Sequence, residues 1–203
     1  MSGERETDLK RSKICVKFGW DAFSKQYSGG LISGLLNKPM AIDCDGSAFF
    51  CDKAGRPVSE ELDGCCVYYD NRSLFDSAAL HGGDNKTGEG ADDEEIAMDL
   101  DRMPPQVDRI LLTLDMLKEK KKIGTGKIQN AFVRITDADS GEEICRCDLD
   151  GLGMGTRFVA AGMLRRGSSG WRFEALGKPL MANSRTELIG RLGEGTCIWK
   201  GIW

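Results

Sequence analysis

Apolar and polar residues alternate with a period of two along most of this chain, as in strands with one buried face, and few segments carry a helical stripe. Ile14, Val16, Phe18 and Trp20 share one face of a first strand. The next strand, AIDCDGSAFFCD, puts Asp43 and Asp45 on one face and becomes apolar at Ala48, Phe49 and Phe50 before KAGRP turns the chain. CCVYYD reads as another strand, with Asp70 and Asn71 at its end. IAMDLDRMPPQV carries a short strand stopped by Pro104 and Pro105, because proline cannot continue a ladder. DRILLTLDM, the most apolar stretch, belongs at the centre of a sheet. NAFVRITD and EEICRCDL flank turn residues at 138–141 and predict a hairpin, and TRFVAAGMLRR and GWRFEAL form a second across 167–170. SRTELIGRL predicts one short helix capped by Ser184, with Glu187 at the third position of a capping box. About eight or nine short strands with regular turns predict an all-β fold, an antiparallel β-sandwich with short helical connections and loops gathered at its two ends.

At 203 residues the chain can bury one large core. The expected division is a charged leader over 1–12, the sandwich domain over 13–180 and a tail over 181–203. A net charge of -4 argues against a nucleic-acid partner, which needs a concentrated positive field. The leader lacks the apolar core of a signal peptide and no run is long enough to span a bilayer, so a soluble, cytoplasmic protein is expected. The eight cysteines include no CxxC pair and read as small apolar fillers of strands. Trp199 and Trp203 in the tail either close the core as a last strand or anchor a partner. The lysine-rich stretch KEKKKIGTGK reads as a solvated hairpin tip, since it lacks the setting of a phosphate loop.

The candidate chemistry is acidic. HGGDNKTGEGADDEE crowds Asp84, Glu89, Asp92, Asp93, Glu94 and Glu95 among glycines that let the backbone curl, and Asn85 adds a carbonyl oxygen. Carboxylates packed this closely repel unless a cation sits among them or solvent separates them. Two readings therefore stand, a calcium site and a solvated acidic turn. Asp43 with Asp45, and Asp70 with Asn71, lie at other strand ends and extend the oxygen inventory toward the about six to eight donors that calcium takes. The loop is not an EF-hand: counting from Asp84, Glu95 falls twelfth, but the third place is Lys86 and the sixth is Glu89 where glycine is required.

DCDGSAF, VYYDN, HGGDNKTGEGADDEEIAMDL, QNAFVRITDADSGEEICRCDL and GWRFEALG, in that order, resemble the tellurium-resistance TerD family over residues 14–177. The resemblance implies a β-sandwich binding a pair of calcium ions near one end, in bacterial proteins of tellurite resistance and stress response that are not established enzymes. Carried over by position, the metal ligands would come from Asp43, Asp45, Asp70, Asn71, Asp84, Asn85, Thr87, Gly88, Glu89, Asp92, Asp93 and Glu94, with Thr87 and Gly88 offering backbone carbonyls. The chain departs from the family in its short charged leader, in DCDGSAF where DLDASAF is usual, and in its lysine run. The implied role is a calcium-dependent adaptor or scaffold for protein partners of the stress-response system, meeting membranes only indirectly through them. The enzymatic alternative is a calcium-assisted hydrolase with an open coordination position. Its base would have to be His81, the sole histidine, which has no nucleophile elbow beside it and reads as a neighbour of the site.

Overall fold

The computed structural model describes residues 6–21, 23–24, 39–40, 44–83, 92–115, 129–149 and 157–194. Asp43, Asp84, Asn85, Thr87, Gly88, Glu89, the lysine-rich stretch and the tryptophan tail lie outside them. Two antiparallel six-stranded sheets face each other. Sheet A runs in the order β1 (Glu6–Asp8), β14 (Gly170–Leu180), β13 (Phe158–Gly167), β10 (Arg109–Asp115), β5 (Asp45–Cys51) and β6 (Cys66–Val67). Sheet B runs β12 (Glu143–Asp148), β11 (Gln129–Asp137), β2 (Lys13–Asp21), β9 (Glu94–Asp99), β8 (Ala79–His81) and β7 (Ser73–Leu74). A small separate ladder pairs β3 (Phe23–Ser24) with β4 (Pro39–Met40). Residues 6–8, within the expected leader, form an edge strand that pairs Thr7 with Phe173.

The pattern of each sequence follows from what covers its sheet. Sheet B buries one face: Ile14, Val16, Phe18 and Trp20 enter the inter-sheet core as expected, and Cys15 and Lys17 point away. Sheet A is covered on both faces. Ala48, Phe50, Ile110, Leu112 and Leu164 point into the inter-sheet core, while Phe49, Cys51, Leu111, Phe158 and Met163 form a second cluster on the outer face. Strands buried on both sides read as continuous apolar runs, as DGSAFFC and RILLTLD do. The outer cover comes from the four-residue helix α1 (Leu62–Cys65) and from α2 (Arg185–Gly193), whose Leu188, Ile189 and Leu192 join the second cluster. The α2 N-cap is as predicted: Ser184 Oγ accepts from Glu187 N at 3.0 Å. The reciprocal bond slips by one residue, with Asn183 N donating to Glu187 Oε2 at 2.9 Å.

CCVYYD does not form the strand expected of it. Only Cys66 and Val67 pair, after which Tyr68 N bonds back to Asn71 O at 3.0 Å and the chain turns. The tyrosine rings leave the ladder direction to lie edge to face, 5.5 Å apart, against the Arg185 guanidinium.

Between β7 and β8, Phe75, Asp76 and Ser77 stand consecutively in the left-handed region, with φ of 55°, 51° and 64°. The turn is closed by Ala78 N on Phe75 O at 3.0 Å and by Arg102 Nη2 on Asp76 O at 2.7 Å, and Phe75 is anchored edge to face on Phe50 at 5.0 Å. Left-handed backbone penalises any residue with a Cβ. Asp76→Gly therefore raises the unfolding free energy by about 0.5–1 kcal/mol after the entropy of the unfolded glycine is subtracted. A urea midpoint at or below that of the parent protein would show that the turn is not strained.

Candidate metal centre

The acidic segment leaves sheet B at the end of β8 and rejoins it at β9, and the described residues around its base hold that end rigidly. Arg72 clasps the exit: its Nη2 donates to Gly82 O at 2.9 Å, and its Nε and Nη2 reach His81 O at 3.3 Å. Gly82 N donates to Glu95 O at 2.8 Å, and Gly83, at φ 129°, occupies backbone that a side chain would strain. Gly83 N–H donates to His81 Nδ1 at 3.0 Å, so the ring proton sits on Nε2, which faces Gly46 O at 3.3 Å. Gly46 N–H donates to Glu94 Oε2 at 2.6 Å. Both backbone groups of one residue in sheet A are thus held by side chains of sheet B. Only glycine fits there, because a Cβ at 46 would lie 2.5 Å from Phe18 Cδ2.

The described ligand candidates share this end of the sandwich but occupy different faces. Asp45 is fully buried on the outer face of sheet A, in line with Ser47 and Phe49 and beside Arg185. Glu94 lies between the sheets, on the core side of β9 with Ile96 and Met98. Asp92 lies on the outer face of sheet B, where Arg134 Nε donates to it at 2.7 Å and Lys17 Nζ at 3.2 Å. Asp93 is buried, and its Oδ2 accepts Trp20 N–H at 2.8 Å. Asn71 uses its amide nitrogen to close the 66–71 turn on Cys66 O at 2.7 Å and Asp63 O at 3.0 Å, and Asp70 is exposed beside it. Among the described residues no three His, Cys, Asp or Glu side chains converge on one point. The described candidates instead present three faces of one end.

Electrostatics separates the carboxylates. Burial and the nearby charge of Asp45 push the Glu94 carboxyl above its usual range, against hydrogen bonds from His81 and Gly46 that pull it down. Asp92 shows the reverse: burial would raise it, but the hydrogen bonds and charges of Arg134 and Lys17 hold it below the usual carboxylate range. Asp92 already has its counter-ions, whereas Glu94 keeps a second oxygen, Oε1, that is buried and without a hydrogen-bond partner among the described residues. A buried, acceptor-only oxygen beside a second buried carboxylate suits a hard cation. Glu94 Oε1 is an oxygen of the type calcium takes, and among the described residues no full set of such donors gathers around it.

Glutamine at 94 keeps an acceptor for Gly46 N–H and removes the buried charge. In chelator, Glu94→Gln is expected to raise stability by about 1 kcal/mol and, in calcium, to shrink the calcium-induced gain. A lower chelator midpoint than the parent's would mean that the protein itself neutralises this carboxylate.

The ligand types were readable in the sequence; the groups that position them were not. Asp115 closes an apolar run, and Arg185 and Arg134 sit in ordinary amphipathic patterns. The one available signal was RILLTLD, a buried central strand ending in a carboxylate, which needs a partner.

Fold and site together define a class: a two-sheet β-sandwich that gathers carboxylates at the end where an acidic loop emerges. Residues 4–186 match the TerD domain, and the chain belongs to that family. It is 33% identical to "Stress response protein SCP2" of Bacillus subtilis over 184 residues, covering 89% of each protein. It is 32% identical to "Tellurium resistance protein TerZ" of Serratia marcescens over 167 residues, covering 82% of this chain and 79% of that protein. A solved structure of a homologue of telluride resistance protein (TerD) from Streptomyces coelicolor A3(2) superposes with a TM-score of 0.61 at 18% identity, over 92% of this chain and 98% of that one. At that identity the likeness establishes the sandwich alone. Among the described residues no helix is long and apolar enough to cross a membrane.

Proposed function

We propose that this protein is a calcium-binding member of the TerD family that serves stress response and tellurite resistance in the cytoplasm as a calcium-dependent adaptor, and that it is not a catalyst. The observation that carries the calcium reading is Glu94 Oε1, buried and without a hydrogen-bond partner among the described residues, next to the buried Asp45 and at the base of the acidic segment. Glu94 would hold the ion from the sandwich, and Asp43, Asp45, Asp84, Asn85 and Glu89 are the further oxygen donors in sequence reach. Bound calcium would supply positive charge that neutralises these groups and fixes the segment's shape. Asp92, committed to Arg134 and Lys17, serves better as an anchor of the loop's return than as a ligand. Relatives named for stress response and tellurium resistance support the biological setting.

The hydrolase alternative is weaker because His81, its only candidate histidine base, has both ring nitrogens engaged, with Gly83 N and with Gly46 O. An adaptor of this kind recovers a different set of proteins from stressed cells in calcium than in chelator. Recovery of the same set in both would contradict the adaptor and leave calcium as a structural staple.

A further inference from the structure

The outer strand of sheet B, β12, carries the sequence EICRCD. Its ladder with β11 pairs Cys145 with Ile135 and Cys147 with Val133 in unbroken register, and both partners enter the inter-sheet core. The two thiols therefore share one face, on the side of the sandwich where β12 approaches β14 and the edge strand β1. Arg146 takes the other face, its guanidinium 3.7 Å above the Phe132 ring and bonded to Asp148 Oδ1 at 2.7 Å. Cys15, Cys44, Cys51, Cys65 and Cys66 are buried, as core fillers should be, whereas Cys145 and Cys147 are only partly covered.

Hydrogen bonds reach both sulfurs from sheet A, from the Thr7 hydroxyl to Cys145 and from the Leu176 N–H to Cys147. Burial outweighs them, pushing the Cys145 thiol up to about 11 and the Cys147 thiol above its ordinary value. Protonated thiols are poor nucleophiles, so the pair is not suited to covalent catalysis or disulfide exchange at neutral pH. Nor does it readily close on itself. Residues two apart on a strand lie about 6.6 Å apart with parallel side chains, at the outer limit for a disulfide.

We propose that Cys145 and Cys147 form a two-coordinate site for a soft cation of the copper(I) type, separated from Glu94 by strands β11 and β2. Thiolate sulfur selects copper(I) over hard cations such as calcium. Zinc takes four ligands in a closed site, and among the described residues no third His, Cys, Asp or Glu joins the pair. Two metal–sulfur bonds of about 2.3 Å span about 4.6 Å, which parallel side chains reach by leaning together. Each thiol releases its proton to solvent as its sulfur bonds the ion, and no electron is transferred. One copper(I) on two thiolates leaves a net negative charge, which the donors from Thr7 and Leu176 stabilise as outer hydrogen bonds do at metal sites.

The test is anaerobic copper(I) titration of the full chain against a chromogenic copper(I) chelator, with Cys145→Ser, Cys147→Ser and the double variant alongside. The parent is expected to take from the chelator one ion that the double variant leaves. Each single variant should hold it at least about a hundredfold more weakly, because joining two ligands raises affinity by about 10²–10⁴. Equal copper binding by the parent and the double variant would overturn the site, and a single variant binding like the parent would overturn chelation by two thiols. Alkylation of the unaltered chain, followed by peptide mass spectrometry, needs no variant. One equivalent of copper(I) is expected to slow the labelling of Cys145 and Cys147 together, and an unchanged rate at either contradicts the proposal.

Discussion

Alanine at position 46 is expected to lower the unfolding free energy by about 2–3 kcal/mol, the upper part of the overpacking range. The added Cβ would stand 2.5, 2.7 and 3.0 Å from three ring atoms of Phe18, a wholly buried side chain with no room to retreat. The same strain pulls Gly46 N–H from Glu94 and Gly46 O from His81, so both links between the sheets at the acidic end are disturbed at once. For a chain of this size the loss appears as a fall of roughly 5–10 °C in the melting midpoint in chelator. Shrinking the ring in Gly46→Ala/Phe18→Leu recovers part of it, because the two changes share one contact. A midpoint for Gly46→Ala within about a degree of the parent's would mean that this end is loosely packed and does not hold its carboxylates in place.

The second large effect is at Arg185. Arg185→Met leaves Asp115 and Asp45 buried without the guanidinium that touches both, a change expected to cost about 3–5 kcal/mol. Burial and the two aspartates act on the guanidinium in opposite senses, and the aspartates prevail, raising its pKa, so the arginine is charged throughout the accessible range. Adding Asp115→Asn to Arg185→Met is expected to restore most of the loss, because the penalty of breaking a buried pair lies mainly in the charge left behind. Chemical denaturation of the two variants decides the matter. An Arg185→Met variant as stable as the parent would show that α2 is held by Leu188, Ile189 and Leu192 alone.

Much of the sandwich was legible because its strands obey simple rules. Ile14, Val16, Phe18 and Trp20 alternate because sheet B covers one face, and RILLTLD is continuous because sheet A is covered on both. The cover itself was hidden. Helix α2 was expected from its cap, but nothing local says that a helix in the tail will close the outer face of a sheet whose β5 lies early in the chain. Strands of two or three residues, such as Ser73–Leu74 and Glu6–Asp8, are too short to carry a period and went unseen. Tyr68 and Tyr69 looked like strand residues because aromatics favour strands, yet stacking on Arg185 fixes them in a turn.

For the site, residue type was readable and residue role was not. ADDEE presents its acids side by side, and only the fold sends Asp92 to Arg134 and Lys17, Asp93 to Trp20 N and Glu94 to Gly46 N. One step along a strand changes the face, so neighbours in this short run meet different surroundings. The contrast between Asp92, held low by cations, and Glu94, raised by burial, is a product of that geometry.

Melting curves in calcium, in magnesium and in chelator test the calcium site most directly. With free calcium about a hundredfold above its dissociation constant, linkage adds about 2.7 kcal/mol for each independent site. The midpoint is then expected to rise by roughly 5–10 °C in calcium, and by much less in magnesium, which tolerates crowded coordination poorly. An identical midpoint in all three would contradict ion binding at this end of the sandwich, and magnesium equalling calcium would reduce it to loose screening of the acidic residues.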